Sequence, residues 1–236
     1  MAEYSLLVPD KNLTSPSSWG SRKSVASTIK KIMENYGGYI KFASDNSKIP
    51  MEILASFIAV ESGGNPTAGT EGHITQGLMQ WNRDFASNML SNEKKLGRMT
   101  ADEEAKLKSY GITFDSNNKT RAITNADQKK PELNILIGSM LLGQYADSYV
   151  GGKQDKPLWA TDPNGNIRLD RIICCYNAGA YGQTGKLARF GNYPSPSSLA
   201  QAVNPTTRTY IAKIYGINGA MDVATSDEKA QFDKYK

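Results

Sequence analysis

Apolar residues recur at helical spacing between residues 50 and 64, and the series ends on the carboxylate of Glu61. Leu54, Phe57 and Ile58 come seven, four and three residues before this carboxylate, so one helix face carries all of them. The proline at the start suits a first helical turn, and the two glycines at the end suit a helix terminus. The pattern predicts a helix of about three turns whose apolar stripe is continued by Glu61.

Glu61 is a candidate general acid because of this position. A carboxylate on a core face loses hydration, and the end of the helix presents the negative pole of its dipole. Both effects favour the protonated form and raise the pKa of Glu61, which is what a proton donor requires. The alternative is a glutamate that turns to solvent at a fraying helix end, the commoner outcome for an isolated glutamate.

The same periodicity predicts helices elsewhere in the chain. The segment that begins at Pro131 is apolar on two sides, which is typical of a central helix. The segments 168–178 and 206–215 each carry one apolar stripe. A helical pattern also begins at Ser24, and we expect the glycine pair at 37–38 to end it before another helix begins. The fold class predicted is mainly α, a helical bundle around a central buried helix, with a small loop or hairpin region after residue 64.

The domain organisation follows from composition. Residues 1–20 are polar and rich in serine and proline, and they predict an N-terminal arm. Residues 21–222 form the predicted domain, with an insertion at about 84–130 that is mostly loop. Thr100 and Glu103 form a capping box for one helix within that insertion. Residues 223–236 are charged and predict a flexible tail.

Charge and composition exclude several classes of function. The 236 residues carry a net charge of +5, but the basic residues are interspersed with acidic ones, so nucleic-acid binding is unsupported whereas an anionic cell wall fits. Cys174 and Cys175 are adjacent and cannot form an unstrained bridge. His73 is the one histidine, so neither a zinc site nor a histidine-activated nucleophile has the residues that it needs. We expect no metal and no cofactor.

Targeting signals are also absent from the pattern. The first 21 residues lack a basic region followed by an apolar one, so no signal peptide is predicted. No run of about 18 apolar residues occurs, so no membrane span is predicted. We expect a protein that is made in a cytoplasm and reaches any target outside by another route.

Three short motifs stand in order on predicted elements: Glu61-Ser62, Gly77–Gln80 and Tyr176–Gly179. Together they resemble the signature motifs of the soluble lytic transglycosylases, the family 23 glycosidases of the lysozyme-like superfamily. Further residues match the family's central helix and its closing motif: Pro131, Glu132, Asn134, Ile135, Gly138, Leu141, Leu142, Thr207, Arg208 and Tyr210. The resemblance covers roughly residues 48–216 and leaves out the N-terminal arm and most of the insertion.

The resemblance implies a lysozyme-like fold and cleavage of the bond between MurNAc and GlcNAc in bacterial peptidoglycan. It implies that Glu61 is the catalytic acid and that the substrate-binding residues are Ser62, Met79, Gln80, Tyr176 and Asn177. It further implies that the Tyr176 hydroxyl lies near the acid, whereas the alternative is a core tyrosine with a locally satisfied hydroxyl.

The chain departs from the family pattern at three positions. Asn82 replaces a habitual methionine, Thr206 replaces a glutamate and Cys175 replaces an alanine. The second departure puts one sugar contact in doubt, but the acid itself is retained.

Three functions stay open at this point. A lytic transglycosylase needs one carboxylate, whereas a hydrolytic goose-type lysozyme needs a second, for which Glu71 and Asp84 are the candidates. A non-catalytic wall-binding or virion structural protein is the third hypothesis, and retention of Glu61 argues against it. A wall-degrading enzyme without an export signal indicates a phage origin, with action at the wall after release or within a virion. Its expected partners are peptidoglycan glycan strands and phage virion or tail components.

Overall fold

The computed structural model describes residues 9–235, and this part of the chain is mostly helical. The α-helices are α1 (Arg22–Ser47), α2 (Met51–Ser62), α3 (Arg83–Lys95), α4 (Ala101–Ser109), α5 (Asn125–Gln128), α6 (Pro131–Ala146), α7 (Leu169–Ala178), α8 (Gln183–Phe190), α9 (Pro196–Ala202), α10 (Pro205–Tyr215), α11 (Ala220–Thr225) and α12 (Lys229–Asp233). The mainly α fold class is therefore confirmed.

The strands are short and lie at the periphery. β1 (Asp10–Thr14) pairs in parallel with β4 (Gly216–Ile217), and β2 (Tyr149–Val150) pairs with β3 (Lys153–Gln154) in an antiparallel hairpin. The predicted N-terminal arm is thus fastened to the body by β1, while its residues 1–8 lie outside the described residues. An isolated bridge between Thr75 and Asn82 closes the loop that follows α2.

Two helices form the centre of the core. α6 packs against α1 and α7, and side chains on all its faces are buried, as its apolar pattern predicts. α2 packs against α1, α10 and α11 and is buried from residue 53 to residue 59. Its C-cap, Gly63, has φ 62°, the left-handed conformation that lets the chain turn out of the core. These helices leave the last turn of α2, with Glu61, partly buried.

α1 differs from the prediction, because it continues through the glycine pair at 37–38 as one helix of 26 residues. A β-carbon at Gly37 would collide with the ring of Tyr235, whose hydroxyl donates to the Met33 carbonyl at 3.3 Å. Gly37 therefore makes room for the C-terminal segment to pack on the helix. A packing requirement, and not a chain break, accounts for this glycine.

The insertion also contains more helix than predicted. α4 has the capping box of Thr100 and Glu103, but α3 stands where the pattern indicated loop. The buried face of α3 consists of Ala86, Met89, Leu90 and Glu93. Glu93 interrupts the apolar periodicity of this face, so the sequence pattern did not indicate a helix. Its buried carboxylate is paired with Arg98 and Gln144, which lie outside α3.

The C-terminal residues are packed and helical, whereas the sequence predicts a flexible tail from residue 223. Phe232 of α12 is fully buried, and Val223 of α11 is buried as well. Arg22 at the start of α1 forms ion pairs with Asp222 and Asp227. Val223 and Phe232 are nine residues apart and form no continuous apolar stripe, so the hydrophobic pattern did not predict that the tail packs.

Within residues 9–235, no helix combines the length and the apolar character that crossing a membrane requires.

Packing of the tail predicts that Phe232→Ala lowers the free energy of unfolding by about 3–5 kcal/mol, because a large buried ring is lost and a cavity remains. Phe190→Ala is the matched control, since Phe190 is 55% exposed and its loss should cost about 0.5 kcal/mol or less. Urea denaturation measures both variants. Equal stability of the two variants would contradict the packed tail.

Candidate active site

Glu61 lies in the last turn of α2 and lines a cleft of about 480 Å³. Its side chain is largely withdrawn from solvent, and this desolvation raises the pKa of Glu61 to about 7. A hydrogen bond from the Tyr210 hydroxyl to Oε1 opposes part of that rise, because it stabilises the ionised carboxylate. The carboxyl can therefore hold or release a proton near neutral pH.

Two tyrosines near the carboxyl pack against the same phenylalanine. The ring of Phe57 packs edge-to-face against Tyr176, with centroids 4.9 Å apart, and against Tyr210 at 6.4 Å. Burial raises the pKa of both phenols well above the ordinary range, so both remain neutral donors. The two tyrosines thus place neutral phenol groups near Glu61 and add no charge.

The direct donor to Glu61 is Tyr210, a role that the resemblance suggested for Tyr176. The Tyr176 hydroxyl donates instead to the carbonyl of Met79 at 2.7 Å, although its ring stands close enough to Glu61 for the carboxylate charge to raise the pKa of the phenol. Sequence reasoning matched Tyr210 to the closing motif but missed its contact with Glu61. Its position within the closing motif was the available signal.

Asn134 of α6 holds the loop that carries the second motif. Its Oδ1 accepts the Met79 N–H at 2.8 Å, and its Nδ2 donates to the carbonyls of Gln76 at 3.1 Å and Gln128 at 2.8 Å. A β-carbon at Gly77, where φ is 85°, would collide with Asn134 and with the Gln128 carbonyl. Only glycine permits so close an approach, which explains the first residue of the motif.

The side chains of Gln128 and Trp81 also hold this loop in place. Gln128 Nε2 donates to the carbonyls of Ile74 at 3.0 Å and Trp81 at 2.7 Å, and Trp81 Nε1 donates to the Asn134 carbonyl at 2.9 Å. The loop backbone is thereby bonded to buried side chains at several points. An asparagine between apolar residues of the predicted central helix was the signal that could have assigned this role to Asn134.

Ser62 and Gln80 shape the backbone at the two ends of the loop. Ser62 Oγ donates to the Ile58 carbonyl at 3.1 Å and accepts the Gly64 N–H at 3.2 Å, so it defines the turn after α2. Gln80 has φ 49°, lines the cleft, and donates through Nε2 to the carbonyls of Ala68 and Gly77. Its amide nitrogen is therefore committed to the loop.

Asn177 and Met79 occupy different environments. Asn177 lines the cleft, and its Oδ1 accepts the Thr207 hydroxyl at 3.0 Å, which links α7 to α10. Met79 is fully buried, and its sulfur packs where a β-carbon of Gly138 would stand. Met79 was expected to bind substrate, but its side chain is buried in the core, and its backbone carbonyl accepts the Tyr176 hydroxyl at 2.7 Å.

Glu61 supplies the carboxyl group among the described residues that line the cleft. Glu71 is exposed and lies outside this lining; Asp84 is exposed and pairs with Arg83 at 3.4 Å. Cys174 and Cys175 are free and buried. In the part of the chain that the structure describes, no three His, Cys, Asp or Glu side chains converge as metal ligands. The arrangement offers one proton donor with neutral neighbours.

Comparison with protein-family models gives no match, and comparison with curated proteins gives none either.

The contact from Tyr210 predicts that Tyr210→Phe raises the pKa of Glu61 further, by about one unit, because the ionised carboxylate loses its hydrogen-bond donor. Titration of the ¹³C-labelled Glu61 carboxyl by NMR measures this shift. Tyr176→Phe is the matched control, and it should move the pKa less, since that hydroxyl donates to a backbone carbonyl. An unchanged pKa in Tyr210→Phe would contradict the assignment.

Proposed function

We propose that this protein is a peptidoglycan-cleaving glycosidase with a lysozyme-like fold, and that it acts as a lytic transglycosylase on the bond between MurNAc and GlcNAc. The observation that carries the proposal is a desolvated carboxyl, Glu61, with a pKa of about 7 and without a second carboxylate among the described cleft-lining residues. The cleft is large enough for sugar units and has aromatic walls. The motif resemblance supplies the substrate class.

In the proposed mechanism, protonated Glu61 donates its proton to the glycosidic oxygen as the bond to the MurNAc anomeric carbon breaks. The carbonyl oxygen of the MurNAc N-acetyl group bonds to that carbon, and the resulting cyclic intermediate is positively charged. Glu61, now a carboxylate, takes the proton from the C6 hydroxyl, and the C6 oxygen displaces the N-acetyl oxygen. The product is a 1,6-anhydro-MurNAc end, and Glu61 is protonated again without consumption of water.

Tyr210 is suited to support both halves of this cycle. Its hydroxyl donates to Oε1, which leaves Oε2 available to carry the transferred proton. The hydrogen bond stabilises the carboxylate that forms after the first step, while desolvation favours return of the proton in the second. The opposition of the two effects keeps the pKa of Glu61 near neutrality.

The hydrolytic alternative is less well supported. An inverting hydrolase needs a second carboxylate roughly 6.5–9.5 Å from the acid to position water. Glu71 and Asp84 are both exposed and outside the cleft lining, so neither is placed for that role. In a transglycosylase the C6 hydroxyl belongs to the substrate, and this gives it the high effective concentration of an intramolecular nucleophile.

A purely structural role is disfavoured by the energetics of Glu61. Burial of a carboxyl costs free energy unless the group is paired with a cation, and the described residues around Glu61 offer it hydroxyls. A protein that only bound the wall would gain stability by replacing this residue.

Catalysis by Glu61 predicts that Glu61→Gln lowers the rate of muropeptide release from isolated walls by a factor of about 100 or more, because the amide has no acidic proton to give. The folded state should be at least as stable as the wild type at pH 7, since a desolvated carboxylate is removed. Glu71→Gln and Asp84→Asn are matched controls that should keep wild-type rates. A folded Glu61→Gln variant with normal rates would refute the proposal.

The single carboxylate predicts the chemistry of the products. Mass spectrometry of digested peptidoglycan should show muropeptides that end in 1,6-anhydro-MurNAc and are lighter by one water than the products of hydrolysis. Reduction with borohydride supplies an internal control, because anhydro ends do not react whereas hydrolytic ends do. Products with predominantly reducible ends would favour the hydrolase.

A further inference from the structure

A second groove, of about 500 Å³, lies along α3 within the insertion that falls outside the family resemblance. We call it the α3 groove and define it by six of its lining residues: Asn88, Ser91, Asn92, Lys95, Asn117 and Lys119. The proposed mechanism uses none of them. Their amides, hydroxyl and ammonium groups suit a hydrogen-bonding, acidic ligand.

The α3 groove continues the active-site cleft along one face of a helix. Phe85 lines the cleft, and Asn88 lines the groove one turn later. Asn92 and Lys95 extend the same stripe, at seven and ten residues from Phe85. With a rise of about 1.5 Å per residue, the stripe runs roughly 15 Å from the cleft wall. A linear polymer seated in the cleft can follow it.

The β2–β3 hairpin brings the two sites together from the other side. A β-carbon on Gly151 would collide with the hydroxyl of Tyr181, which lines the cleft, and a β-carbon on Gly152 would stand 3.0 Å from Asn92 Cγ. Both glycines have positive φ, 61° and 77°. The turn therefore borders cleft and groove at once and places no side chain between them.

Four of the six side chains that define the groove are left without internal partners, whereas those of Asn88 and Ser91 bond to backbone groups. In the described part of the chain, those of Asn92, Lys95, Asn117 and Lys119 make no hydrogen bond or ion pair. At the groove wall, Thr120 Oγ1 is buried and has no hydrogen-bond partner, although such groups are normally satisfied. The described lining contains two ammonium groups and no carboxylate.

We propose that the α3 groove binds the continuation of the same peptidoglycan strand that is cleaved at Glu61, with its amides on sugar hydroxyls and its two lysines on carboxylates of the strand's peptide substituents. This inference rests on the proposed function and extends it to a distal subsite. Continuity with the cleft favours one polymer in both sites over a separate anionic wall polymer.

Binding in the catalytically disabled Glu61→Gln background tests the inference, because the strands then stay intact. The probe is purified sacculi freed of covalently attached phosphate polymers, and sedimentation gives the apparent Kd. The double variant Lys95→Ala, Lys119→Ala should raise the apparent Kd about fivefold or more. In 0.5 M salt the Kd values with and without the two lysines should lie closer together. Arginine at both positions should restore binding.

The matched control is Lys23→Ala with Lys30→Ala, which removes the same charge from two exposed positions on α1. Equal weakening by both pairs would show a non-specific charge effect and overturn the groove assignment. The groove assignment would also be overturned if the groove variant bound more weakly than the control only on walls that retain phosphate polymers. Asn92→Asp should weaken binding in its own right by repelling carboxylates, and an unchanged Kd would count against the proposal.

Activity of the wild-type Glu61 protein on the same sacculi separates the two proposals. If muropeptides are released but the Kd is unchanged in the groove variants, the groove proposal is contradicted and the proposed activity is not. Groove-dependent binding without any muropeptide release contradicts the proposed activity and supports the groove as a glycan-binding site.

Discussion

Desolvation of the Glu61 carboxyl is the constraint on which the candidate site depends. α2 is buried along most of its length, and its last turn carries the carboxyl to the cleft. A helix packed this deeply holds Glu61 away from bulk water, so its pKa rises to about 7. Tyr210 donates to the carboxyl and is neutral, whereas an arginine in its place would hold the group ionised. One carboxyl can then serve as acid and base in turn.

The loop at Gly77–Gln80 depends on the core in a different way. Asn134 lies on the central helix α6, and its side-chain amide bonds to backbone groups of Met79, Gln76 and Gln128. Burial makes these hydrogen bonds costly to break, because a freed amide would have no water to replace them. Tyr176 then bonds to the carbonyl of Met79, so the loop is fixed between α6 and α7. Glu61 and this loop are therefore both positioned by buried helices.

The insertion adds to this core a helix with one face in the core and one face along the cleft and the α3 groove. The buried face of α3 is secured by Glu93, which accepts from Arg98 at 3.1 Å and from Gln144 at 2.7 Å. Its outer face runs from the cleft wall at Phe85 into the α3 groove. A buried ion pair contributes little net stability, but loss of one partner would leave an uncompensated charge. This pair thus fixes the orientation of the face that we propose to contact substrate.

The sequence by itself determined what depends on local periodicity and local caps. The stripe that ends on Glu61, the two-sided apolar pattern of α6 and the capping box at Thr100 all involve residues within a few turns of each other, so a window of sequence contains the whole interaction. Tertiary structure alone decided that Tyr210 bonds to a carboxyl 149 residues away, and that Gly37 accommodates Tyr235 inside a continuous helix. The loop prediction for α3 and the tail prediction failed for the same reason. A buried glutamate and a few isolated apolar anchors become favourable only through partners that the fold brings from distant parts of the chain.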